Sequence, residues 1–318
     1  MTSDFETSSR LVDIDRDDHN GRGHDGHTGR DHGSHDAGPD EGAGERPAGK
    51  PIRKDERVVG ERGLYVESWL PERRSRRKPL YLLHGELGGS WLWHRYLGYF
   101  APRGWEGHAL NLRGHYWSET ADFDELDFSS YEADVIAAAE LMPRPPIVVG
   151  HGLGGLLALR LAQEKAVSAI VLLSPALPAE LLEPPPAHMV RLLPHQYRRE
   201  LIGWDGSVEA LQRQNSDLSL ADVARVQHLM GAESGRARRD MLEGVSVSLD
   251  QLPDVPRLVI GAGLDHHFAE GDSARLAEWL GADYLPFGAH SHYGLVIGEE
   301  SYEQVAEAIR MFIESHRL

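Results

Sequence analysis

The sequence contains no cysteine, which excludes disulfide bonds and thiolate metal sites. It is also poor in basic residues, because 33 Lys and Arg stand against 50 Asp and Glu for a formal net charge of −17. A nucleic-acid surface needs a basic patch, so this charge argues against a nucleic-acid partner. Neither a signal peptide nor a long apolar run is present near the amino terminus. We therefore expect a cytoplasmic protein that does not associate with membranes.

The first 55 residues differ in composition from the rest of the chain. Asp, Gly, His and Arg dominate them, and the stretch 17–45 has almost no large apolar side chains. Such a segment cannot bury enough surface to offset the entropy lost on ordering, so we predict a disordered tail over residues 1–55. A histidine-rich tract can also bind divalent transition metals weakly. The histidines of the tail are His19, His24, His27, His32 and His35.

Beyond the tail, short apolar runs alternate with segments of helical periodicity. Several runs, such as Ile147 to Val149, are apolar at every position, which is typical of strands buried on both faces. The alternation predicts an α/β fold with a mostly parallel, doubly wound sheet. The predicted strands are 63–70, 79–83, 107–112, 146–149, 169–173, 257–260 and 283–286, and the predicted helices include 131–141, 154–163, 273–280 and 302–313.

Residues 177–252 interrupt this alternation. They begin with a proline cluster over 184–186 and then become helical, with Ser219 and Asp222 as a capping pair. We interpret the segment as a helical cap inserted between the core segments 56–176 and 253–318. Such a lid encloses apolar ligands and excludes water from a site at the carboxyl ends of the strands. The expected ligand is a small apolar or ester-type molecule.

One segment carries the layout of a catalytic turn. The strand that ends at Val149 runs directly into Gly-His-Gly-Leu-Gly-Gly over residues 150–155, and a predicted helix follows. A strand, a sharp glycine turn and a helix form a nucleophile elbow, which exposes a serine at the top of the sheet. In this chain the position of that serine is occupied by Gly152.

Four further segments occur in the order that accompanies such an elbow. With them, residues 58–318 resemble the α/β-hydrolase superfamily, in the esterase- and lactonase-like branch whose elbow reads G-H-S-x-G-G. The segments are 82–85 with the aromatic 88–93 after it, 111–118 with an L-R-G-H sequence, 261–265 ending in Asp265, and 288–294 with His290 and His292.

The resemblance implies a role for each of these segments. Asp265 would orient and stabilise a histidine that acts as general base. We favour His292 as that histidine, because the Tyr-Gly-Leu that follows it resembles the family's entry to the last helix; His290 is the alternative. The backbone N–H groups of Leu153 and Glu86 would form the oxyanion hole.

The glycine at the elbow removes one mechanism and leaves three hypotheses. Gly152 has no Oγ, so a covalent acyl-enzyme cannot form there. A water molecule activated by His292 could attack an ester or lactone directly. Alternatively, the His292–Asp265 pair could abstract a substrate proton in a lyase, cyclase or cofactor-free oxygenase reaction. A pseudoenzyme that only binds a ligand or a partner is the third hypothesis, and a negative charge from Glu86 in the oxyanion loop would favour the last two.

Two other sites are weaker candidates. His266 and His267 could meet His290 and His292 around a metal ion, but their spacing matches no ligand signature, so we expect neither a metal nor another cofactor. Ser90 lies in the oxyanion loop segment, yet the base and the hole are arranged around the elbow, which makes it an improbable substitute nucleophile. We expect the remaining conspicuous residues to be structural: His115, Trp91 and Trp93.

Overall fold

The structure, a computed structural model, describes residues 51–73, 75–269 and 271–318. Residues 1–50 of the predicted tail, with all five of its histidines, lie outside the described residues. The strands are β1 Ile52–Val59, β2 Leu64–Pro71, β3 Leu80–Leu83, β4 Gly107–Leu110, β5 Ile147–His151, β6 Ala169–Leu173, β7 Gln196–Tyr197, β8 Glu233–Ser234, β9 Arg257–Ala262 and β10 Asp283–Phe287. The α-helices are α1 His94–Phe100, α2 Phe128–Ala139, α3 Leu153–Glu164, α4 Ala187–Arg191, α5 Val208–Gln214, α6 Leu220–Leu229, α7 Gly235–Glu243, α8 Asp272–Leu280, α9 Gly294–Ile297 and α10 Tyr302–Ser315.

Eight strands form one sheet in the order β1-β2-β4-β3-β5-β6-β9-β10. Six of them, from β4 to β10, run parallel to their neighbours, and only the β1–β2 and β2–β4 pairs are antiparallel. The mostly parallel sheet predicted from the sequence is confirmed. The order reverses at β3, where the chain crosses from one side of the sheet to the other, and sites in such sheets lie at the carboxyl ends of the strands beside the reversal.

The central strands are covered on both faces. In β5, Ile147 and Val149 pack into one apolar cluster while Val148 packs into the other, as expected for side chains that alternate along a strand. The first cluster includes residues of α1 and α10, and the second includes residues of α2, α3 and α8. Because both faces are buried, these strands lack the polar alternation of a half-exposed sheet.

The predicted boundary of the tail needs correction. Residues 52–55 were assigned to the tail by composition, but they form the start of β1, which pairs with β2 from Ile52 to Val59. This strand lies at the edge of the sheet and most of its side chains are exposed or half-buried. An edge strand of this kind has no apolar stripe, so the sequence Ile-Arg-Lys-Asp-Glu-Arg carries little signal of a strand.

Between β6 and β9 the chain forms four short α-helices, α4 to α7, together with the two-stranded β7–β8 sheet. The capping box predicted at Ser219 and Asp222 is present at the start of α6. The β7–β8 pair was not predicted, because each strand is only two residues long. We refer below to residues 177–252 as the cap. No helix in the described part of the chain is both long and apolar enough to cross a membrane.

Candidate active site

The turn between β5 and α3 is very tight. Gly152 occupies it with φ 55° and ψ −120°, a conformation that residues with a side chain adopt only under strain. A Cβ atom on Gly150 would lie 2.2 Å from the carbonyl oxygen of Gly154, and one on Gly154 would lie 2.3 Å from the carbonyl oxygen of Leu83. Close backbone packing therefore requires glycine at 150 and 154. At 152 the backbone has the strained form in which an elbow presents its nucleophile.

Gly152 faces the predicted base. A Cβ atom added at Gly152 would lie 3.3 Å from Nε2 of His292 and 3.7 Å from the Cα of Gly85. The oxygen of a serine side chain extends one bond beyond its Cβ, so it would lie within reach of Nε2. Three segments that the sequence analysis associated with catalysis therefore meet at one point: the elbow, the loop after β3 and the loop before α9.

His292 and Asp265 form a hydrogen-bonded pair. Nδ1 of His292 lies 2.8 Å from Oδ2 of Asp265, and each side chain is only 7% exposed. The other carboxylate oxygen accepts hydrogen bonds from the backbone N–H groups of His267 at 2.7 Å and Phe268 at 3.1 Å. Burial alone would raise the pKa of Asp265, but His292 and these N–H donors hold that pKa well below its usual range. Asp265 is thus ionised at neutral pH and oriented as a partner for the histidine.

Two further histidines pack against His292. The ring centroids of His151 and His267 lie 4.1 Å and 4.7 Å from that of His292. Burial, followed by the proximity of His292, lowers the pKa of His267 to about 3 and holds that of His151 well below its usual value. Both rings are therefore neutral at physiological pH. Nε2 of His151 donates to the carbonyl oxygen of His292 at 3.0 Å, which fixes the backbone of His292.

His290, the alternative base, has a different environment. Its ring packs edge-on against Phe287 with centroids 5.0 Å apart, and within the described residues neither ring nitrogen has a hydrogen-bond partner. Asp265 is paired with His292 instead. His266 bonds to the carbonyl oxygen of Gln214 at 3.1 Å. Over the ranges that the structure covers, no group of three or more His, Asp or Glu side chains is arranged to hold a metal ion.

The predicted oxyanion-hole residues border the elbow. Leu153 is the first residue of α3, where backbone N–H groups have no partner within the helix. Glu86 follows Gly85, which contacts the elbow position. The structure corrects the expectation of an unbalanced negative charge at Glu86. Its carboxylate accepts hydrogen bonds from Nη1 of Arg238 at 2.6 Å and from the hydroxyl of Tyr197, so its charge is neutralised by the cap.

A buried ion pair beside the loop after β3 was missed by the sequence analysis. Glu233 in β8 lies 3.1 Å from Nε2 of His115, and both side chains are 1% exposed. Burial would raise the pKa of Glu233, but the charge of His115 and several hydrogen bonds lower it to about 2, while Glu233 raises the pKa of His115. The two residues are 118 positions apart and Glu233 lies in no motif, so no sequence signal pointed to their pairing.

Three other residues named in the sequence analysis are buried in the core. Ser90 is 0% exposed, and its backbone N–H donates to Oδ1 of Asn111 at 2.5 Å. Trp91 and Trp93 belong to the apolar cluster on the α1 side of the sheet. The aromatic residues that follow the His-Gly segment are therefore explained by their packing in the core.

Residues 78–214 match the family model described as alpha/beta hydrolase fold. This segment contains the loop after β3, the elbow and the first part of the cap. No curated protein matches the sequence.

Solved structures resemble the chain over most of its length. An esterase from Exiguobacterium antarcticum has a TM-score of 0.63 at 15% identity, over 79% of this chain and 95% of that chain. A putative aryl esterase from Burkholderia cenocepacia has a TM-score of 0.60 at 18% identity, over 82% and 100% respectively. The N-acyl homoserine lactonase AidH, solved with N-hexanoyl homoserine, has a TM-score of 0.60 at 17% identity, over 84% and 98%. Together with the family match over residues 78–214 and the sheet topology, these similarities show that the chain has the α/β-hydrolase fold.

Proposed function

We propose that the protein hydrolyses carboxylic esters or lactones by direct attack of water, with His292 as general base and no covalent intermediate. The observation that carries this proposal is the 3.3 Å separation between Nε2 of His292 and the Cβ position of Gly152. A water molecule in the space that a serine side chain would fill lies within hydrogen-bonding distance of Nε2. It takes the place of the missing hydroxyl.

The hydrogen bond to Asp265 prepares His292 for this role. The ionised carboxylate can only accept a hydrogen bond, so the neutral ring carries its proton on Nδ1 and leaves Nε2 free to accept one. In the reaction, Nε2 takes a proton from water while the hydroxide oxygen bonds to the carbonyl carbon. The tetrahedral intermediate then expels the alkoxide, which takes the proton back from Nε2. Asp265 stabilises the imidazolium that exists between the two steps.

The backbone N–H groups of Glu86 and Leu153 supply the second element of this mechanism. Both belong to segments that border the elbow, where the oxyanion of a tetrahedral intermediate develops. Each preorganised donor contributes roughly 10²- to 10³-fold in rate. Enzymes that lose members of a catalytic triad retain about 10³- to 10⁴-fold enhancement over the uncatalysed reaction. Hydrolysis without serine is therefore physically reasonable in this fold.

The test is the hydrolysis of p-nitrophenyl esters of increasing chain length and of acyl lactones by the purified full-length protein. The unmodified protein should hydrolyse at least one of them above the buffer rate, and His292→Ala and Asp265→Asn should lose most of that activity. His290→Ala is the matched control, because it removes a neighbouring buried histidine whose ring nitrogens form no hydrogen bond with Asp265 in the described part of the chain. Its rate should be unchanged once its folding has been checked by thermal denaturation.

Mass spectrometry of the intact protein during turnover separates the mechanisms. The unmodified protein should show no acyl adduct, whereas Gly152→Ser should show one. Activity that survives His292→Ala would disprove the proposed base. A silent unmodified protein beside an active Gly152→Ser variant would instead support the other two hypotheses, which are non-hydrolytic proton transfer and ligand binding alone.

A further inference from the structure

Besides the hydroxyl of Tyr197, three residues of one cap segment bond to the loop that carries Glu86. The part of the oxyanion loop concerned is residues 85–88. The backbone N–H of Leu87 donates to Oε2 of Glu233 at 2.9 Å, and the carbonyl oxygen of Leu87 accepts from the N–H of Gly231 at 3.1 Å. The side chain of Glu86 bonds to Arg238 at 2.6 Å. All three partners lie in the cap segment 231–238, which spans β8 and the start of α7.

The backbone of the oxyanion loop needs this support. Leu87 has φ 60° and is one of four residues other than glycine with positive φ in the described chain. Residues with a Cβ rarely adopt this conformation unless the surrounding structure imposes it. Leu87 is also completely buried, so its N–H and carbonyl groups depend on protein partners. Both partners come from the cap, and the core sheet supplies neither.

Glu233 is held in place by groups on several elements. Its Oε1 accepts hydrogen bonds from the hydroxyl of Tyr131 at 2.5 Å and from the N–H of Ser234 at 2.9 Å. Its Oε2 accepts from Leu87 and lies 3.1 Å from Nε2 of His115. The carboxylate therefore joins α2, the segment after β4, the cap and the oxyanion loop at one buried point. A buried acceptor with this many donors has a well-defined position.

We infer that Glu233 and the N–H of Gly231 position the Glu86–Leu87 segment, and that the oxyanion hole is complete only while this part of the cap is docked on the core. The inference rests on the proposed function for its catalytic consequence. Glu233 is a positioning residue, because it acts through the backbone of Leu87. The segment 231–238 is thus a fixed part of the site, and any opening of the cap that admits substrate must occur elsewhere in it.

The test compares two substitutions at Gly231. This residue is exposed, and a Cβ atom there meets nothing within 4 Å. Gly231→Ala keeps the N–H that bonds to Leu87, whereas Gly231→Pro removes it and places a ring carbon against the carbonyl oxygen. Met230 has φ −58° and ψ 124°, which suits the residue before a proline. A second pair is Glu233→Leu, which removes the acceptor of the Leu87 N–H, and Glu233→Gln, which removes the charge but keeps a side-chain carbonyl oxygen that can accept from Leu87.

Hydrogen exchange of the peptide covering residues 84–92 is the first readout. Gly231→Pro and Glu233→Leu should speed exchange in the oxyanion loop by about tenfold or more through local opening, while Gly231→Ala should not and Glu233→Gln should do so much less. In ester hydrolysis, measured in the unmodified and Gly152→Ser backgrounds, the first two variants should lower kcat roughly tenfold or more, with KM nearly unchanged.

Each outcome bears on the inference. Unchanged exchange in both Gly231→Pro and Glu233→Leu would overturn it. Faster exchange with unchanged kcat in an active background would also overturn it, because the segment would then be anchored without serving the oxyanion hole. If the unmodified protein hydrolyses nothing, the proposed function fails, but the exchange measurement and the Gly152→Ser background still decide the inference.

Discussion

The Cβ position of Gly152 lies 3.3 Å from Nε2 of His292, whose other ring nitrogen lies 2.8 Å from Asp265. This is the arrangement of a Ser-His-Asp triad without the serine side chain. The backbone at Gly152 has φ 55° and ψ −120°, which is the conformation of a nucleophile elbow. A residue with a Cβ atom adopts this conformation only under strain, whereas glycine adopts it freely. His292, Asp265 and the Cβ position of Gly152 thus lie together in space.

Substitution at Gly152 should restore covalent chemistry at a cost in stability. A side chain at φ 55° should lower the free energy of unfolding by about 1–3 kcal/mol in both Gly152→Ser and Gly152→Ala. Only the serine variant has an Oγ within reach of His292, so only it should give a burst of p-nitrophenol and an acyl adduct. Denaturant titration and stopped-flow absorbance measure the two effects. Equal bursts from the serine and alanine variants would show that the elbow is not the site of reaction.

Substitutions of Glu86 and Arg238, which form an ion pair, should have strongly non-additive effects on the free energy of unfolding. The two side chains are 14% and 21% exposed, so removal of one leaves the other charge poorly solvated. Arg238→Met should therefore lose about 3 kcal/mol of stability. The double variant Arg238→Met with Glu86→Gln should lose less than the sum of the two single variants. A double-mutant cycle by chemical denaturation tests this, and additive losses would argue that the pair contributes no interaction energy.

Protonation of Glu233 in acid should destabilise the folded protein. Its pKa is lowered from an ordinary 4.5 to about 2, so the folded state favours the ionised form. The stabilisation is fully present above pH 4.5 and is lost as the pH falls toward 2, with a magnitude on the order of 3 kcal/mol. Glu233→Gln should show a flatter curve over this range. Asp265→Asn provides a comparison, because the lowered pKa of Asp265 acts in the same direction. A Glu233→Gln curve parallel to that of the unmodified protein would contradict the assignment.

His84 should remain neutral across the physiological range. Burial and the nearby charge of His115 lower its pKa to about 3. Its Nδ1 donates to the carbonyl oxygen of Gly85 at 2.8 Å, and its Nε2 accepts from the N–H of Leu112 at 3.2 Å. In NMR spectra, the Cε1–H resonance assigned through His84→Gln should not shift between about pH 5 and 8. A titration in that range would show that the ring is charged and that this hydrogen-bond pattern is wrong.

Much of the fold was predictable because its strongest signals are local. Strands such as β5 and β6 are apolar on both faces, and the helices between them have clear periodicity, so their positions agree with the structure to within a few residues. The edge strand β1 was missed at its start because its side chains face solvent. The β7–β8 pair was missed because two-residue strands leave no pattern.

Some residues of the candidate site could likewise be predicted from the sequence, and others could not. Gly152, Asp265 and His292 lie in motifs that a single chain reveals, although which histidine pairs with Asp265 depends on how the loop before α9 folds. The roles of Glu233 and Arg238 could not be foreseen, because they lie in a cap without motifs and their partners are more than 100 positions away. Whether two side chains so far apart in the sequence form an ion pair depends on how the cap packs against the core.

Apolar periodicity and turn chemistry act between near neighbours in the chain, so the parallel sheet, the glycine at the elbow and the order of the motif segments could be predicted from the sequence alone. Three other features depend on how the chain folds: the pairing of His292 with Asp265, the neutralisation of Glu86 and the attachment of the oxyanion loop to the cap. These contacts form only when distant segments are packed together, since hydrogen bonds and ion pairs require specific distances that one-dimensional spacing does not specify.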